Sequence, residues 1–185
     1  MTGEAALLGG VDLLARAIDY ALGSLDTVTP ESLSRPTPCA EWDLRALLDH
    51  LNDSLLALHE AAALGRVFPD EGDYESADPV ALLRDRATRL LGAWPRTEVD
   101  VGHVELTTAI VTTTGAFEVA VHGWDVTRTC GVHRPIPTAL AEEMLDLSPL
   151  LVTEADRPTR FASPTTARPG SPAGDHLVAF LGRKP

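Results

Sequence analysis

One short stretch of this chain combines a carboxylate and an imidazole at a spacing that suits metal binding. In the run GAFEVAVHGWD, Glu118 and His122 are four residues apart. On a helix, their side chains would therefore lie one turn apart on the same face. Such a pair can hold a divalent ion. A solvent-exposed polar row would show the same spacing, so the pair alone leaves both interpretations open.

The residues around this pair favour the metal interpretation. Gly115 and Asp125 extend the same line at intervals of three residues, and apolar residues stand directly beside it. A charged row this close to a buried face needs a partner, because an unpaired buried charge is costly. Gly115 is expected to leave room one turn before Glu118.

A third ligand must come from another helix, and His50 in the run WDLRALLDHLND is the candidate. It lies about 60° outside the Leu47 edge of the apolar stripe of its helix. That is a groove position, and Ser54 and the alanines that continue the same line are small. The alternative is a boundary histidine that hydrogen-bonds a neighbour, and the residues alone leave it open.

The two cysteines, Cys39 and Cys130, are far apart and belong to no CxxC pattern, so we expect two reduced thiols rather than a disulfide. No residue near Cys39 in the sequence resembles an activating base, so a buried structural thiol is expected there rather than a nucleophile. Surface positions are expected for the remaining histidines, which are His59, His103, His133 and His176.

The elements that must position these side chains are predicted to be helices, because apolar residues recur at three- and four-residue intervals. Asp43 and Asp78 are predicted N-caps, and Gly65 is a predicted helix end. The run TTAIVTTTGAF is rich in β-branched residues and resembles a strand, but its helical spacing favours helix. Helices are predicted over 5–24, 44–64, 79–94, 105–129 and 138–152, with breaks at 66–78 and 95–104 and a short terminal helix within 175–185.

This pattern predicts an all-α fold, an up-and-down four-helix bundle with long crossover connections and a short C-terminal helix. Aromatic residues make up only 5% of a chain that is 44% hydrophobic, which suits helices packed on helices. The 185 residues are predicted to form a single domain, with 157–174 as a Pro- and Ser-rich surface arm.

Charge and hydropathy narrow the classes of partner. A formal net charge of −12 disfavours nucleic acid and anionic lipid. No apolar run approaches the roughly 20 residues that span a bilayer, and the N-terminus lacks a secretory pattern. We expect a cytoplasmic protein, either a monomer or a homodimer, because no sequence feature decides between these states.

Three runs resemble signatures of one known group. These are TPCAEWDLRALLDHL (37–51), EVAVHGWDVTRTCG (118–131) and DHLVAFLGRKP (175–185). Together they resemble the actinomycete metal-binding proteins related to the N-terminal domain of mycothiol-dependent maleylpyruvate isomerase, in the DinB-like superfamily. The resemblance implies a DinB-like four-helix bundle with one divalent ion, zinc or alternatively nickel, held by His50, Glu118 and His122. Three protein ligands would leave coordination positions open.

The leading functional hypothesis is a mycothiol-dependent thiol transferase or isomerase, in which the metal activates the thiol of the cosubstrate for attack on a small electrophile. Asp125 would then orient a ligand or the substrate, although an ion pair with Arg128 or Arg45 is an equal alternative. Two other hypotheses keep the metal. One is a small-molecule hydrolase that uses bound water, and the other is a non-catalytic ligand-binding or resistance module.

Overall fold

The computed structural model describes residues 3–39, 42–67, 76–93, 98–101, 104–157 and 160–185. Helices dominate this part of the chain, which confirms the predicted all-α class. Contacts divide the chain into two compact units, Met1–Val132 and His133–Pro185, and the single domain over 1–185 stays a prediction. No helix among the described residues is long and apolar enough to cross a membrane.

The first unit contains the four long helices. Their bounds agree with the prediction for the first two, whereas the third ends three residues early and the fourth begins three residues late. They are α1 (Gly3–Leu25), α2 (Leu44–Leu64), α3 (Pro79–Leu91) and α4 (Thr108–Thr129).

Helix α2 shows how closely local sequence sets these bounds. The Asp43 carboxylate accepts a hydrogen bond from the Ala46 amide and caps the first turn. Gly65 ends the helix in the left-handed conformation, with φ 72°. The predicted apolar stripe is buried, and its core members are Leu44, Leu47, Leu48, Leu51, Leu55 and Leu58.

Glycine contacts define the directions of α1, α2 and α4. Gly10 of α1 lies against Thr112, and Gly123 of α4 lies against Ala21, so α1 and α4 run parallel. A Cβ on Gly123 would stand only 3.0 Å from the Ala21 Cα, which means that a side chain there would separate the two helices. Helix α2 runs antiparallel to α4. Leu58 of α2 lies at Gly115, whereas His50, earlier in α2, contacts Glu118, later in α4.

The predicted crossover is the connection between α2 and α3. The Asn52 side chain donates to the Pro79 carbonyl, 3.0 Å away, so α3 begins beside the middle of α2 rather than near its end. The Arg45 guanidinium, two turns before Asn52 on α2, donates to the carbonyl of Ser76, three residues before Pro79. Helices α2 and α3 therefore run parallel, and part of their connection, 68–75, lies outside the described residues.

A small three-stranded sheet was not predicted. Its strands are β1 (Arg66–Val67), β2 (Glu98–Val101) and β3 (Val104–Thr107), with β1 parallel and β3 antiparallel to β2. The break predicted over 95–104 and the helix start near Glu105 are therefore wrong. The β-branched residues of this segment pair across two strands, and α4 begins only after Thr107, whose hydroxyl accepts from the Ile110 amide.

The second unit contains α5 (Thr138–Leu151) and α6 (Ala173–Phe180), which confirms both predicted helices. The described part of the predicted arm, 157 and 160–174, is mostly exposed. It is nevertheless joined to α6, because the Thr165 amide donates to the Ala179 carbonyl at 2.9 Å. The Arg157 guanidinium likewise donates to the Phe180 carbonyl and lies over the Phe180 ring.

Candidate metal centre

Three side chains from two helices meet in the first unit. The Nε2 atom of His50 lies 2.5 Å from Oε1 of Glu118, and Nε2 of His122 lies 3.1 Å from the same oxygen. One donor atom from each residue lies within 4.8 Å of the others. The structure therefore brings together the three residues that the sequence singled out as metal ligands, and ligation itself stays a prediction.

The antiparallel packing of α2 on α4 produces this meeting. Glu118 and His122 occupy successive turns of α4, as their spacing predicts, while His50 projects from the second turn of α2. The prediction that Gly115 leaves room one turn before Glu118 is wrong. The space beside Gly115 is filled by Leu58, whose Cδ2 would lie 2.6 Å from an added Cβ. Gly115 thus allows the two helices to approach rather than leaving room at the site.

The cluster is open on one side. The side chains of His50 and Glu118 are 38% and 34% exposed, whereas that of His122 is 8% exposed. The intermediate position of His50 agrees with the groove position that its place on the helix predicts. The Ser54 hydroxyl donates to Oε1 of Glu118 at 3.3 Å. A small ligand would approach from the side of His50 and Glu118.

Asp125 lies behind the cluster and holds the ring of His122. The Nδ1 atom of His122 donates to Oδ2 of Asp125 at 2.9 Å, and the Asp125 side chain is completely buried. With one proton held on Nδ1, the Nε2 atom faces Glu118 and His50, and it would offer its lone pair to an ion once its own proton is lost. This is the contact expected of an orienting group. Arg45 instead donates to Ser76, and Arg128 lies over the ring of Trp124.

Cys39 lies beside the same buried pair, which the sequence did not indicate. Its Sγ is 3.5 Å from Oδ2 of Asp125 and 3.9 Å from Nδ1 of His122. No base stands near Cys39 in the sequence, but in the fold His122 and Asp125 come beside it from 83 and 86 residues further along the chain. Cys39 is half-buried rather than buried, and its structural role stays a prediction. Both cysteines are thiols, as expected.

Trp42 lies beside the two histidines, and no pattern in the sequence indicates a role for it. Its ring centroid lies 4.6 Å from that of His50 and 6.3 Å from that of His122. The segment that carries Cys39 and Trp42 is organised by Thr37. The Thr37 hydroxyl lies 3.0 Å from the carbonyl oxygens of both residues and accepts from the Cys39 amide. Cys39 and Trp42, three residues apart, are thus both held near the His122 ring.

Without an ion, the cluster shares protons between imidazoles and carboxylates. Burial, the largest single influence, raises the pKa of Glu118, but hydrogen bonds from His122 and His50 bring it well below its ordinary 4.5. Burial lowers the pKa of His122, yet hydrogen bonds to Asp125, Cys39 and Glu118 together raise it well above 6.5. The cluster therefore favours a positive charge at its centre.

The donor set fits a divalent ion. Two imidazole nitrogens and one carboxylate oxygen suit zinc, nickel and other transition ions. With metal–ligand distances of about 2.0–2.2 Å, ligand atoms of a tetrahedral site lie roughly 3.3–3.6 Å apart. The observed separations of 2.5 Å and 3.1 Å from the Glu118 oxygen are shorter, so the side chains would move apart slightly around an ion. His50, Glu118 and His122 are the residues that would hold the ion, with Asp125 orienting His122.

Of the remaining histidines that the structure describes, none joins this cluster. His133 and His176 are exposed, as expected, whereas His59 is half-buried, and His103 lies outside the described residues. The Nδ1 atom of His59 is buried and has no hydrogen-bond partner among the described residues. The apolar neighbours of His59 on α2 explain why it departs from the expected surface position.

The fold and the site define a DinB-like helical bundle with a candidate metal centre between α2 and α4. Residues 14–127 match the family model described as the Mycothiol maleylpyruvate isomerase N-terminal domain. The chain belongs to this family. The matched range includes all three candidate ligands, Asp125 and Cys39.

Two proteins of Mycobacterium tuberculosis are similar over nearly the whole chain. They are the Uncharacterized protein MT0763 of strain CDC 1551 / Oshkosh and the Uncharacterized protein Rv0738 of strain ATCC 25618 / H37Rv. Each is 28% identical over 192 aligned residues, covering 91% of this chain and 94% of the relative. The similarity thus extends beyond the matched range of the family model into the second unit.

Proposed function

We propose that this protein is a metal-dependent thiol transferase or isomerase that uses mycothiol as its cosubstrate in the cytoplasm. The convergence of His50, Glu118 and His122 carries the proposal, because it would give an ion three ligands on a partly open surface. Membership of the family supports the choice of mycothiol. Zinc is the proposed ion and nickel the second candidate.

The protein would contribute binding and orientation rather than a nucleophile of its own. When bound, a divalent ion favours the ionised form of a thiol that enters its open coordination position. Asp125 would keep the His122 ring in place through its hydrogen bond to Nδ1. The exposed edges of His50 and Glu118 would face the incoming thiol, and Trp42 would form an apolar wall beside them.

The experiment is a turnover assay with metal-loaded protein, mycothiol and a small electrophile, either maleylpyruvate or monochlorobimane. We expect turnover that requires both the ion and the thiol, and that falls to background in His122→Ala. His133→Ala serves as the matched control, because this histidine is exposed and lies away from the cluster in the sequence. Equal rates in wild type and His122→Ala would refute the proposal.

Two other outcomes would select the alternative functions. Consumption of the electrophile without any thiol would indicate a hydrolase that uses bound water. Stable metal binding with no substrate consumed would indicate a metal-stabilised ligand-binding module. Either outcome contradicts the transferase proposal, although both are compatible with the metal centre itself.

A further inference from the structure

A second set of donor atoms surrounds the opposite nitrogen of His122. The Nδ1 atom of His122 and Oδ2 of Asp125 are 2.9 Å apart, and Sγ of Cys39 lies 3.5 Å from that oxygen and 3.9 Å from that nitrogen. These three residues form a second group able to hold a metal ion. The group uses the side of the imidazole that faces away from Glu118 and His50.

These separations match those of a tetrahedral site that contains one sulfur ligand. With a metal–sulfur distance of about 2.3 Å and metal–nitrogen or metal–oxygen distances of about 2.0–2.2 Å, ligand atoms lie roughly 3.3–3.6 Å apart. The three observed distances bracket this range. Small rotations of the Cys39 and Asp125 side chains would therefore be enough to accommodate an ion.

The chemistry of the group selects the class of ion. We propose that a soft, thiophilic divalent ion binds Cys39, His122 and Asp125, and that His122 is shared with the first centre through its two ring nitrogens. Thiolate ligands favour soft ions. The incoming ion replaces two protons, the one on the Cys39 sulfur and the one on Nδ1 of His122.

The surroundings allow such an ion to reach and stay at this position. Asp125 is fully buried and His122 is 8% exposed, so both are already held in place, while Cys39 is half-buried and provides the route of entry. The Thr37 hydroxyl holds the Cys39 backbone through the amide and the carbonyl oxygen. The backbone that carries the sulfur is thus already held in place, which reduces the entropy lost on binding.

The test is a titration of the thiol-reduced, metal-free protein with Cd²⁺, followed by ultraviolet absorption. A cadmium–thiolate bond produces a charge-transfer band that nitrogen and oxygen ligands alone do not. We expect this band in the wild type and in Cys130→Ser, and its loss in Cys39→Ser. Calorimetry is expected to count two Cd²⁺ ions per chain in the wild type and one in Cys39→Ser.

His50→Ala separates this proposal from the proposed function. It removes a ligand of the first centre only, so the thiolate band should persist while turnover is lost. Circular dichroism of each metal-free variant checks that the fold is retained, and cadmium NMR of the wild type reports sulfur coordination without any substitution. Absence of the band from the wild type, or an undiminished band in Cys39→Ser, would overturn the second site. A count of one ion in the wild type would overturn the shared histidine.

Discussion

His50 and Glu118 are 68 positions apart in the chain, yet the Nε2 and Oε1 atoms of their side chains lie 2.5 Å apart. This contact joins α2 to α4 at a partly open position. The same oxygen of Glu118 also contacts Nε2 of His122. A divalent ion placed among these atoms would connect the two helices, so its removal should affect stability as well as activity.

Metal binding should stabilise the protein through the three candidate ligands. At a free metal concentration about 1,000 times the Kd, an ion bound only by the folded state adds roughly 4 kcal/mol to the free energy of unfolding. That corresponds to a rise in Tm of roughly 8–16 °C for a chain of this size. We expect the rise in wild type and in His133→Ala, and its absence in Glu118→Gln. Differential scanning calorimetry with and without zinc measures it, and an equal rise in Glu118→Gln would contradict the assignment.

Asp125→Asn should weaken metal binding without removing a ligand. The substitution preserves the size of the buried side chain but removes the charge that faces Nδ1 of His122. Loss of a carboxylate that supports a metal-bound histidine typically costs about 10–100-fold in metal affinity. Competition with a chromophoric chelator gives the Kd. Asp19→Asn, an exposed substitution on α1, is the control and should leave the Kd unchanged.

The metal-free protein should lose stability as the pH rises above neutrality. The pKa of His122 is raised in the folded state, so its contribution is fully present below pH 6.5 and is lost as the pH rises through the folded pKa. The pKa of Glu118 is lowered, so its contribution is present above pH 4.5 and is lost as the pH falls through the folded pKa. Urea unfolding of chelator-treated protein from about pH 2 to about pH 9 measures both limbs. His122→Gln should flatten the alkaline limb, and a stability that increases steadily to pH 9 would disagree with these contacts.

Gly123→Ala should destabilise the bundle even though alanine favours helix. A Cβ at this position would meet the Ala21 Cα at 3.0 Å and the Ala21 Cβ at 3.2 Å, and a backbone atom cannot move aside cheaply. We expect a loss of about 1–3 kcal/mol in the free energy of unfolding.

Gly9→Ala on α1 is the matched control, because its Cβ would meet nothing within 4 Å. It should gain about 0.5–1 kcal/mol. Equal effects of the two substitutions in chemical denaturation would rule out the close approach of α1 and α4.

Local patterns in the sequence determined the bounds of most helices and which candidate ligands share a face of α4. Asp43, Asp78 and Gly65 act as caps because capping depends on residues within one helical turn. Glu118 and His122 share a face of α4 for the same reason, since four residues nearly complete a turn. The segment from Val99 to Thr107 was misassigned, because strand pairing depends on partners that a helical pattern does not specify.

Only the tertiary structure decided which residues meet across helices. The Gly115–Leu58 and Gly123–Ala21 contacts set the approach of α2 and α1 to α4, and that approach determines how far His50 stands from Glu118. The positions of Cys39 and Trp42 beside His122 follow from the loop before α2, whose path depends on hydrogen bonds to Thr37. The spacing of residues within one helix follows from helix geometry alone, whereas distances between helices depend on the packing of side chains from distant parts of the chain.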